Sequence, residues 1–441
     1  MKKIGALLTL LIALAAATPA AATPTPAPAP APAPAPDPAV VEALDRAAHP
    51  LRTVEPGGDS GDLRPLDRMI GDARVVGLGE ATHSSHDFFA LKDRVFRHLV
   101  EEKGFRTFAL EAPWSTGLRL DDYVLHGKGD VRRIVREEFQ RDYLWWNNTD
   151  YLRLLEWMRA FNVRHPGDPV RFMGDDIAWT GPESYDAVAA AVRPALRERL
   201  AELYRGLRPT VGTGAYIDQY LAKPYAERKL LARHAADALE LVRDAGVDDL
   251  VLRNATAIDQ TARQYAFDFE DPAQVAAAMR YRDETMAANV VRWQRYTGTK
   301  VLLAAHNNHI GYVPDEPADY PKVQGEFLRE TLGAGYVSIG LTFDHGSFNA
   351  TGQEDETVRR WTLGPADPGS NERTLDRVRH RDYVLDLRSV GSPAREWLLG
   401  ARPTRSIGTA YPDGPNDTAL ARTYDLLVHL HRVEAARLRD R

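Results

Sequence analysis

An apolar segment that ends at polar side chains most constrains how this chain folds. Residues 75–78 read Val-Val-Gly-Leu, and Glu80 and His83 follow them closely. A short, continuous apolar run is typical of a strand that is buried on both faces of a parallel sheet. Open α/β sheets bind their ligands at the carboxyl ends of their strands. We therefore expect Glu80 and His83 to lie at a functional site.

Two later segments repeat this arrangement. Residues 107–110 precede Glu111, and residues 300–305 precede His306 and His309. If the three predicted strands lie in one sheet, their carboxyl ends bring these side chains together. The candidates for catalysis are Glu80, His83, Glu111, His306 and His309.

The pattern between the strands predicts an α/β fold. Residues 84–104 have helical spacing of apolar side chains, with Asp87 completing a capping box from Ser84 and Gly104 ending the helix. We expect further helices over residues 115–138, 149–163 and 418–438, and strands over residues 170–173, 336–343 and 383–387. The β-α-β-α-β order indicates a mostly parallel sheet with helices on both faces, which is a three-layer arrangement.

A large all-helical insertion is expected to interrupt this sheet. Residues 182–297 are rich in Ala, Leu and Arg and have almost no β-branched runs. Strand patterns stop before this segment and resume after it. The α/β core is therefore predicted in two parts, residues 40–181 and 298–441, with the insertion covering the active end of the sheet.

The first 39 residues predict a targeting segment and a spacer. Lys2 and Lys3 precede a short apolar run, and small residues follow at 20–22, as in a cleavable signal peptide over residues 1–22. Residues 23–39 are rich in alternating Ala and Pro, which is typical of a semi-rigid polyproline II linker. These features predict a secreted or extracytoplasmic protein without an integral membrane span after cleavage.

Composition excludes several function classes. The chain has no Cys, so a lipid-modified cysteine, a disulfide and a thiol nucleophile are impossible. A net charge of −6 gives no general reason to expect nucleic acid as a partner. The chain also lacks a G-x-S-x-G elbow and an H-E-x-x-H helix, which disfavours serine-triad hydrolases and zinc peptidases.

The histidine spacing leaves a second interpretation open. His83 and His86 are three residues apart, as are His306 and His309. With carboxylates such as Asp175 they could ligate Zn, Mn or Fe. On this hypothesis the chain is a metal- or haem-binding envelope protein.

Other side chains are candidates for substrate binding or support. Lys92 either stabilises an oxyanion or is solvated at the edge of its helix. Arg282 either anchors a polar substrate group or belongs to a surface ion pair, and Trp145 either lines a pocket or packs in the core. His345, which is expected at the end of another strand, ranks lower.

The ordered motifs resemble the erythromycin esterase family of macrolide-inactivating hydrolases. The segments that carry the resemblance are IGDARVVGLGEATH at 70–83, FFALK at 88–92, FRTFALE at 105–111, FMGDD at 172–176, Arg282-Asp283 with Met286 and Asn289, and AAHNNH at 304–309. The resemblance runs from about residue 66 to about residue 341 and more weakly beyond.

What the resemblance implies is a mixed α/β core interrupted by a helical bundle, and hydrolysis of a small-molecule ester or lactone without a metal or cofactor. It further implies that His83 is the base that activates water, surrounded by Glu80, Glu111, His306 and His309. Lys92 stands where some members carry an arginine, and lysine cannot replace an arginine at a bidentate contact. An enzyme that acts on a different acyl bond remains an alternative.

Overall fold

The computed structural model describes residues 36–440. The predicted signal peptide lies outside the described residues, as does the predicted linker up to residue 35. The first helix begins after Asp37, whose carboxylate accepts a hydrogen bond from the backbone N–H of Ala39 at 2.8 Å. Within residues 36–440, every helix is too short or too polar to span a membrane.

Twelve strands lie in the described part of the chain, ten in a large mixed sheet and two in a small one. They are β1 (His49–Pro50), β2 (Val75–Leu78), β3 (Phe105–Pro113), β4 (Arg171–Asp176), β5 (Lys300–Ala304), β6 (Tyr336–Gly352), β7 (Val358–Leu363), β8 (Tyr383–Asp386), β9 (Arg402–Thr404), β10 (Ala410–Tyr411), β11 (Asn416–Thr418) and β12 (Leu426–Val433).

The register of the large sheet aligns the ends of the strands that carry the candidate residues. The strand order is β1-β8-β12-β6-β2-β5-β3-β4, and the pairs from β12 to β4 are parallel. Leu78 pairs with Ala304 and Ile339, and Leu110 also pairs with Ala304. The carboxyl ends of β2, β3 and β5 therefore lie side by side, as the sequence predicts.

Seventeen α-helices occupy the described residues. They are α1 (Pro38–Ala47), α2 (Arg64–Ile70), α3 (His86–Lys103), α4 (Trp114–His126), α5 (Val131–Glu138), α6 (Thr149–Arg164), α7 (Pro182–Ala191), α8 (Pro194–Leu203), α9 (Thr213–Leu221), α10 (Tyr225–Asp244), α11 (Asp249–Gln264), α12 (Pro272–Thr297), α13 (Asn307–Ile310), α14 (Gln324–Leu332), α15 (Asn371–Leu375), α16 (Ala394–Leu399) and α17 (Leu420–Thr423).

Helices cover both faces of the large sheet. On one face, α3 and α6 pack over Val76 and Leu78. On the other face, α1, α12 and α14 pack over Val75 and Leu303. Successive strand residues point to opposite faces, so Val75 and Val76 of β2 are buried under different helices. The predicted three-layer, mostly parallel α/β fold is confirmed.

Helices α7 to α12 form the predicted all-helical insertion between β4 and β5. Their apolar side chains build a separate core that includes Val188, Leu239 and Ile258. The long helix α12 also packs against β4 and α14, so it connects the insertion to the sheet.

Two details of the predicted helices are wrong. The segment predicted as one helix over residues 115–138 forms α4 and α5, because Gly127 adopts a left-handed φ of 68° and Asp130 caps α5 through the backbone N–H groups of residues 132 and 133. Ser85 precedes α3 without a side-chain cap, and Asp87 accepts a hydrogen bond from the backbone N–H of Glu434 at 2.5 Å instead of completing a capping box.

The predicted closing helix over residues 418–438 is also wrong. These residues form the end of β11, the short helix α17 and the strand β12. β12 lies between β6 and β8, where it is buried on both faces. A continuous apolar run such as Leu-Leu-Val fits either a buried helix or a buried strand, and periodicity alone does not separate them.

Candidate active site

A cavity of about 160 Å³ lies at the carboxyl ends of β2, β3 and β5. Four of the five predicted candidates line it, namely His83, Glu111, His306 and His309. Glu80, the fifth, is fully buried and contacts His83. Arg282 from α12 also lines the cavity, and it is the one insertion residue among the described lining residues.

Glu80 orients His83. Glu80 is 0% exposed, and its Oε1 lies 2.8 Å from His83 Nδ1. A carboxylate can only accept a hydrogen bond, so Nδ1 carries the proton in this contact. The other ring nitrogen, Nε2, makes no hydrogen bond to any described residue. His83 therefore lines the cavity with an Nε2 atom that has no partner among the described residues.

Lys92 supports the same carboxylate from within the protein. Its ammonium forms an ion pair with Glu80 Oε2 and lies 3.3 Å from the carbonyl oxygen of Ala305. Only 1% of Lys92 is exposed. Burial lowers the pKa of Lys92, although the charge of Glu80 opposes this effect. The interpretation of Lys92 as a solvated lysine is wrong, because α3 places this side chain against the buried ends of the strands.

The loop that carries His306 and His309 is fixed to the sheet by Asn307. The side chain of Asn307 donates to the carbonyl of Leu341 at 2.7 Å and accepts from its N–H at 3.0 Å. A Cβ atom at Gly79 would lie 2.1 Å from Asn307 Oδ1, so only glycine leaves room for this contact. Gly79, between β2 and Glu80, thus allows the carboxyl ends of β2 and β5 to approach each other.

Glu111 is held by donors from three directions. It accepts from Arg282 Nη2 at 3.0 Å and from the backbone N–H of His306 at 3.0 Å, and His309 Nε2 lies 3.2 Å away. Burial alone would favour the neutral acid, but the charges beside it, that of His309 first, hold the pKa of Glu111 well below its usual range. Glu111 is therefore an anion that organises its neighbours.

His309 lies between two carboxylates. Its Nδ1 is 2.8 Å from Asp283 Oδ1, and its Nε2 is 3.2 Å from Glu111 Oε1. Burial disfavours the imidazolium, but Asp283 and Glu111 together raise the pKa of His309 to about 10. Arg282 Nη1 is 3.2 Å from the same Nε2. Since two cations cannot hydrogen-bond to each other, we assign the Nε2 proton to the contact with Glu111.

His306 is the neutral histidine of the cluster. Its Nδ1 accepts from the backbone N–H of Asn308 at 3.3 Å, and its Nε2 lies 3.2 Å from the carbonyl oxygen of Ile407. Accepting at one nitrogen and donating at the other requires a neutral ring protonated at Nε2. Burial, reinforced by the neighbouring His83, lowers the pKa of His306 well below its usual range. The His306 ring packs against His83 with 4.9 Å between centroids.

Arg282 is the anchored cation of the cavity. Its Nε and Nη2 bind the two oxygens of Asp176 at 2.9 and 2.8 Å, and Nη2 also donates to Glu111. Tyr143 donates to Asp176 Oδ2 at 2.7 Å. This bidentate geometry fixes the guanidinium plane. Of the two functions weighed for Arg282, the surface ion pair is excluded by its burial within the site.

A family model described as erythromycin esterase matches residues 100–433, which is more than half of the chain. The chain belongs to the erythromycin esterase family. The predicted resemblance is thereby confirmed, and the chain is a hydrolase of that family. Glu80, His83 and Lys92 precede the matched range.

Similar proteins and solved structures cover most of the chain. An erythromycin esterase type II of Escherichia coli is 25% identical over 388 residues, which are 78% of this chain and 90% of that protein. A crystal structure named as a succinoglycan biosynthesis protein shares 28% identity and a TM-score of 0.82, covering 91% of this chain and 98% of that one. A mutant of the erythromycin esterase EreC, at 19% identity and a TM-score of 0.67, covers 88% of this chain and 98% of its own, and shares the fold.

Asp175 and Trp145 are predicted site residues that do not line this esterase-family cavity. Asp175 is 0% exposed and accepts from Gln324 Nε2 at 2.6 Å, and burial raises its pKa well above the usual range. The neighbouring Asp176 binds Arg282 instead, because adjacent strand residues point to opposite faces. Trp145 is buried, with 1% of it exposed, whereas Trp146 lines the cavity, and its ring lies nearly perpendicular to that of His83 with 5.8 Å between the centroids.

The four paired histidines do not form one metal site. His86 Nδ1 lies 3.0 Å from Asp150 and its Nε2 lies 2.7 Å from Glu55, and the Asp150 contact raises the pKa of His86 to about 9. Among the described residues, the group with metal-ligand spacing contains none of the four histidines; it is Asp344, His345 and His431. His345 lies inside β6, not at the end of a strand as predicted.

The sequence interpretation missed the residues that position the cluster. Asp176 binds Arg282 and accepts a hydrogen bond from Tyr143. Asp283 contacts His309. Asp176 and Asp283 were within reach of the sequence, since both stand in segments that carry the family resemblance. Tyr143 follows no strand and belongs to a short helical turn, so nothing in the pattern marks it.

Proposed function

We propose that this esterase-family hydrolase cleaves a carboxylic ester or lactone with water that His83 activates. The observation that carries the proposal is the buried 2.8 Å contact between Glu80 and His83 Nδ1, which leaves Nε2 at a cavity that Arg282 also lines. A general base beside a fixed cation supplies the two elements that direct attack of water on an ester requires.

In the proposed reaction, His83 Nε2 removes a proton from water while the water oxygen attacks the carbonyl carbon. Glu80 accepts the hydrogen bond from Nδ1–H and stabilises the imidazolium that forms, and the ion pair with Lys92 holds Glu80 in place. The tetrahedral intermediate then breaks its bond to the leaving oxygen, which takes the proton back from His83. The products are a carboxylic acid and an alcohol, and His83 is neutral again.

We assign stabilisation of the oxyanion to Arg282. Its Nε and Nη2 are occupied by carboxylates, but neither N–H group of Nη1 donates to a carboxylate of the described residues. Lys92, the other candidate, is fully engaged by Glu80 and does not line the cavity. A preorganised donor in a partly desolvated site typically contributes about 3–4 kcal/mol to the transition state.

The catalytic step is proposed to use no metal ion or other cofactor. The support lies in how the cavity side chains are already bonded. Glu111 binds Arg282 and His309, His309 also contacts Asp283, and His306 uses both ring nitrogens on the backbone. A metal ion would have to displace these contacts to gain its ligands.

Two classes of substrate have support. A macrolide lactone is favoured by the name of the Escherichia coli relative at 25% identity. An acyl ester on a glycan is favoured by the name of the solved structure at 28% identity, a succinoglycan biosynthesis protein. Both contain a carbonyl that the proposed mechanism attacks in the same way.

We also propose that the protein acts outside the cytoplasm. The support is the charged, apolar and small-residue order of residues 1–22, with an Ala/Pro-rich spacer over residues 23–39. Fusing residues 1–39 to alkaline phosphatase, which is active only outside the cytoplasm, is expected to give active enzyme. A fusion without this segment serves as the control, and an inactive 1–39 fusion refutes the proposal.

The hydrolysis proposal is tested by screening macrolides and acyl esters, including acylated oligosaccharides, with the full chain and its His83→Ala variant. We expect at least one class to be cleaved by the wild type with EDTA present. His83→Ala, shown to be folded by circular dichroism, is expected to lose about 100-fold or more of this activity. Equal turnover by the folded variant, or turnover abolished by EDTA, contradicts the proposal.

A further inference from the structure

A second group of histidines and carboxylates lies apart from the catalytic cavity. Asp344 and His345 belong to β6, and His431 belongs to the neighbouring parallel strand β12. One possible ligand atom from each side chain lies within 4.8 Å of the others. None of the three lines the cavity that contains His83.

The geometry of this group suits a small cation that enters from solvent. Asp344 is buried, with 2% of its side chain exposed, whereas the side chains of His345 and His431 are 28% and 25% exposed. The two imidazole rings are 4.6 Å apart at their centroids and nearly perpendicular, at 85°. The ligands thus form a site with a buried anionic floor and an accessible rim.

A carboxylate behind His431 orients it as metal-bound histidines are usually oriented. His431 Nδ1 lies 2.6 Å from Asp376 Oδ1, and the His431 backbone N–H donates to Asp382 at 2.9 Å. Ligating histidines commonly bond their second nitrogen to a carboxylate in this way, which fixes the ring and strengthens the ligand. The contact leaves His431 Nε2 for an ion.

Outside the group itself, the Asp344 carboxylate is bound by one backbone N–H. Its Oδ1 accepts from the backbone N–H of Ala366 at 3.1 Å, and its Oδ2 lies 3.0 Å from His345 Nδ1. The nearby Arg405 binds the backbone carbonyls of Asp344 and Gly364, so its guanidinium does not occupy the Asp344 carboxylate.

We propose that Asp344, His345 and His431 bind one divalent transition-metal ion that links β6 to β12. Two imidazoles and one carboxylate form a donor set suited to Zn²⁺ and its neighbours, with water completing the coordination. Ligand atoms around a tetrahedral zinc ion lie roughly 3.4 Å apart, so atoms that lie within 4.8 Å of one another need to approach by at most about 1.4 Å. Such an ion stabilises the fold and takes no part in ester hydrolysis.

The proposal is tested on the full chain after removal of metals with EDTA. Isothermal titration with Zn²⁺ is expected to show one equivalent bound, and the melting temperature is expected to rise with Zn²⁺. His345→Gln and His431→Gln are each expected to weaken binding by about 100-fold and to abolish the thermal shift. His345 and His431 are both partly exposed, and changing each of them separately ensures that misfolding of one variant does not determine the result.

Two control variants separate this site from other histidines. His126→Gln changes an exposed histidine at the end of α4, and His83→Asn changes the catalytic cavity. Both are expected to bind Zn²⁺ like the wild type. Absence of stoichiometric binding overturns the proposal, as does binding that survives both His345→Gln and His431→Gln. Hydrolysis is measured separately, and His431→Gln is expected to retain it, so failure of either proposal is recognised independently.

Discussion

Buried charged side chains hold the catalytic residues of the cavity in place through ion pairs. Lys92 is the clearest case, because an ammonium that is 1% exposed pairs with a carboxylate that is fully buried. Removing one partner of such a pair leaves the other charge uncompensated, which typically costs about 3–5 kcal/mol. The pair therefore supports both the stability of the protein and the orientation of His83.

Lys92→Met is accordingly expected to lower the free energy of unfolding by about 3–5 kcal/mol. The change keeps most of the side-chain volume, so the effect arises from the unpaired Glu80. Urea denaturation measures it, with Lys229→Met at an exposed position of α10 as the control. A loss below about 1 kcal/mol would show that Glu80 does not depend on this ion pair.

His309 gives the protein a specific pH dependence. Its pKa is raised to about 10 in the folded protein by Asp283 and Glu111 against the effect of burial. The imidazolium therefore contributes stability that is fully present below about pH 6.5 and is lost as the pH rises towards 10, with a slope of up to about 1.4 kcal/mol per pH unit.

Asp283→Asn is expected to flatten this slope, because it removes one of the two carboxylates that raise the pKa of His309. The measurement is the free energy of unfolding at several pH values between 6.5 and 10 for both proteins. The difference between the two curves isolates His309 from other groups that titrate in this window. Parallel curves would mean that Asp283 does not hold the proton on His309.

At the scale of elements, α12 carries the insertion into the site. Arg282 and Asp283 lie on this helix and reach Asp176, Glu111 and His309. The helix thus couples the position of the insertion to the geometry of the cavity.

Arg282→Lys is expected to lower kcat by about 100-fold with a smaller change in KM, since lysine cannot bind Asp176 and Glu111 together and also serve an oxyanion. Arg280→Lys, at an exposed position of the same helix, is the matched control. Steady-state kinetics on the substrate found by the screen provides the comparison. Equal effects of the two changes would remove Arg282 from the proposed mechanism.

The strands at the site were predictable from the sequence, whereas β12 was not. Residues 75–78 stand before a glycine and an acid, so both the strand and its end are marked. β12 has the same apolar character, but its histidines and flanking Ala and Arg residues also fit a helix. Its place between β6 and β8 depends on pairings with residues that are distant in sequence, which local patterns do not contain.

For the molecule as a whole, the fold and the meeting of the five catalytic candidates followed from the order of strands and polar ends. Parallel strands end at one edge, so Glu80, Glu111 and His306 had to be neighbours once the sheet formed. Which carboxylate meets which histidine did not follow, because it depends on side-chain direction. The choice between adjacent residues, Asp175 or Asp176 and Trp145 or Trp146, failed for the same reason.

The central claim is that His83, oriented by Glu80, activates the water. The most direct test compares kcat/KM of His83→Asn with that of His86→Asn, which changes the partner histidine of the same motif outside the cavity. Both proteins are first shown to be folded, and the assays contain EDTA. We predict a loss of about 100-fold or more for His83→Asn and less than about threefold for His86→Asn. A folded His83→Asn protein with wild-type turnover would contradict the account.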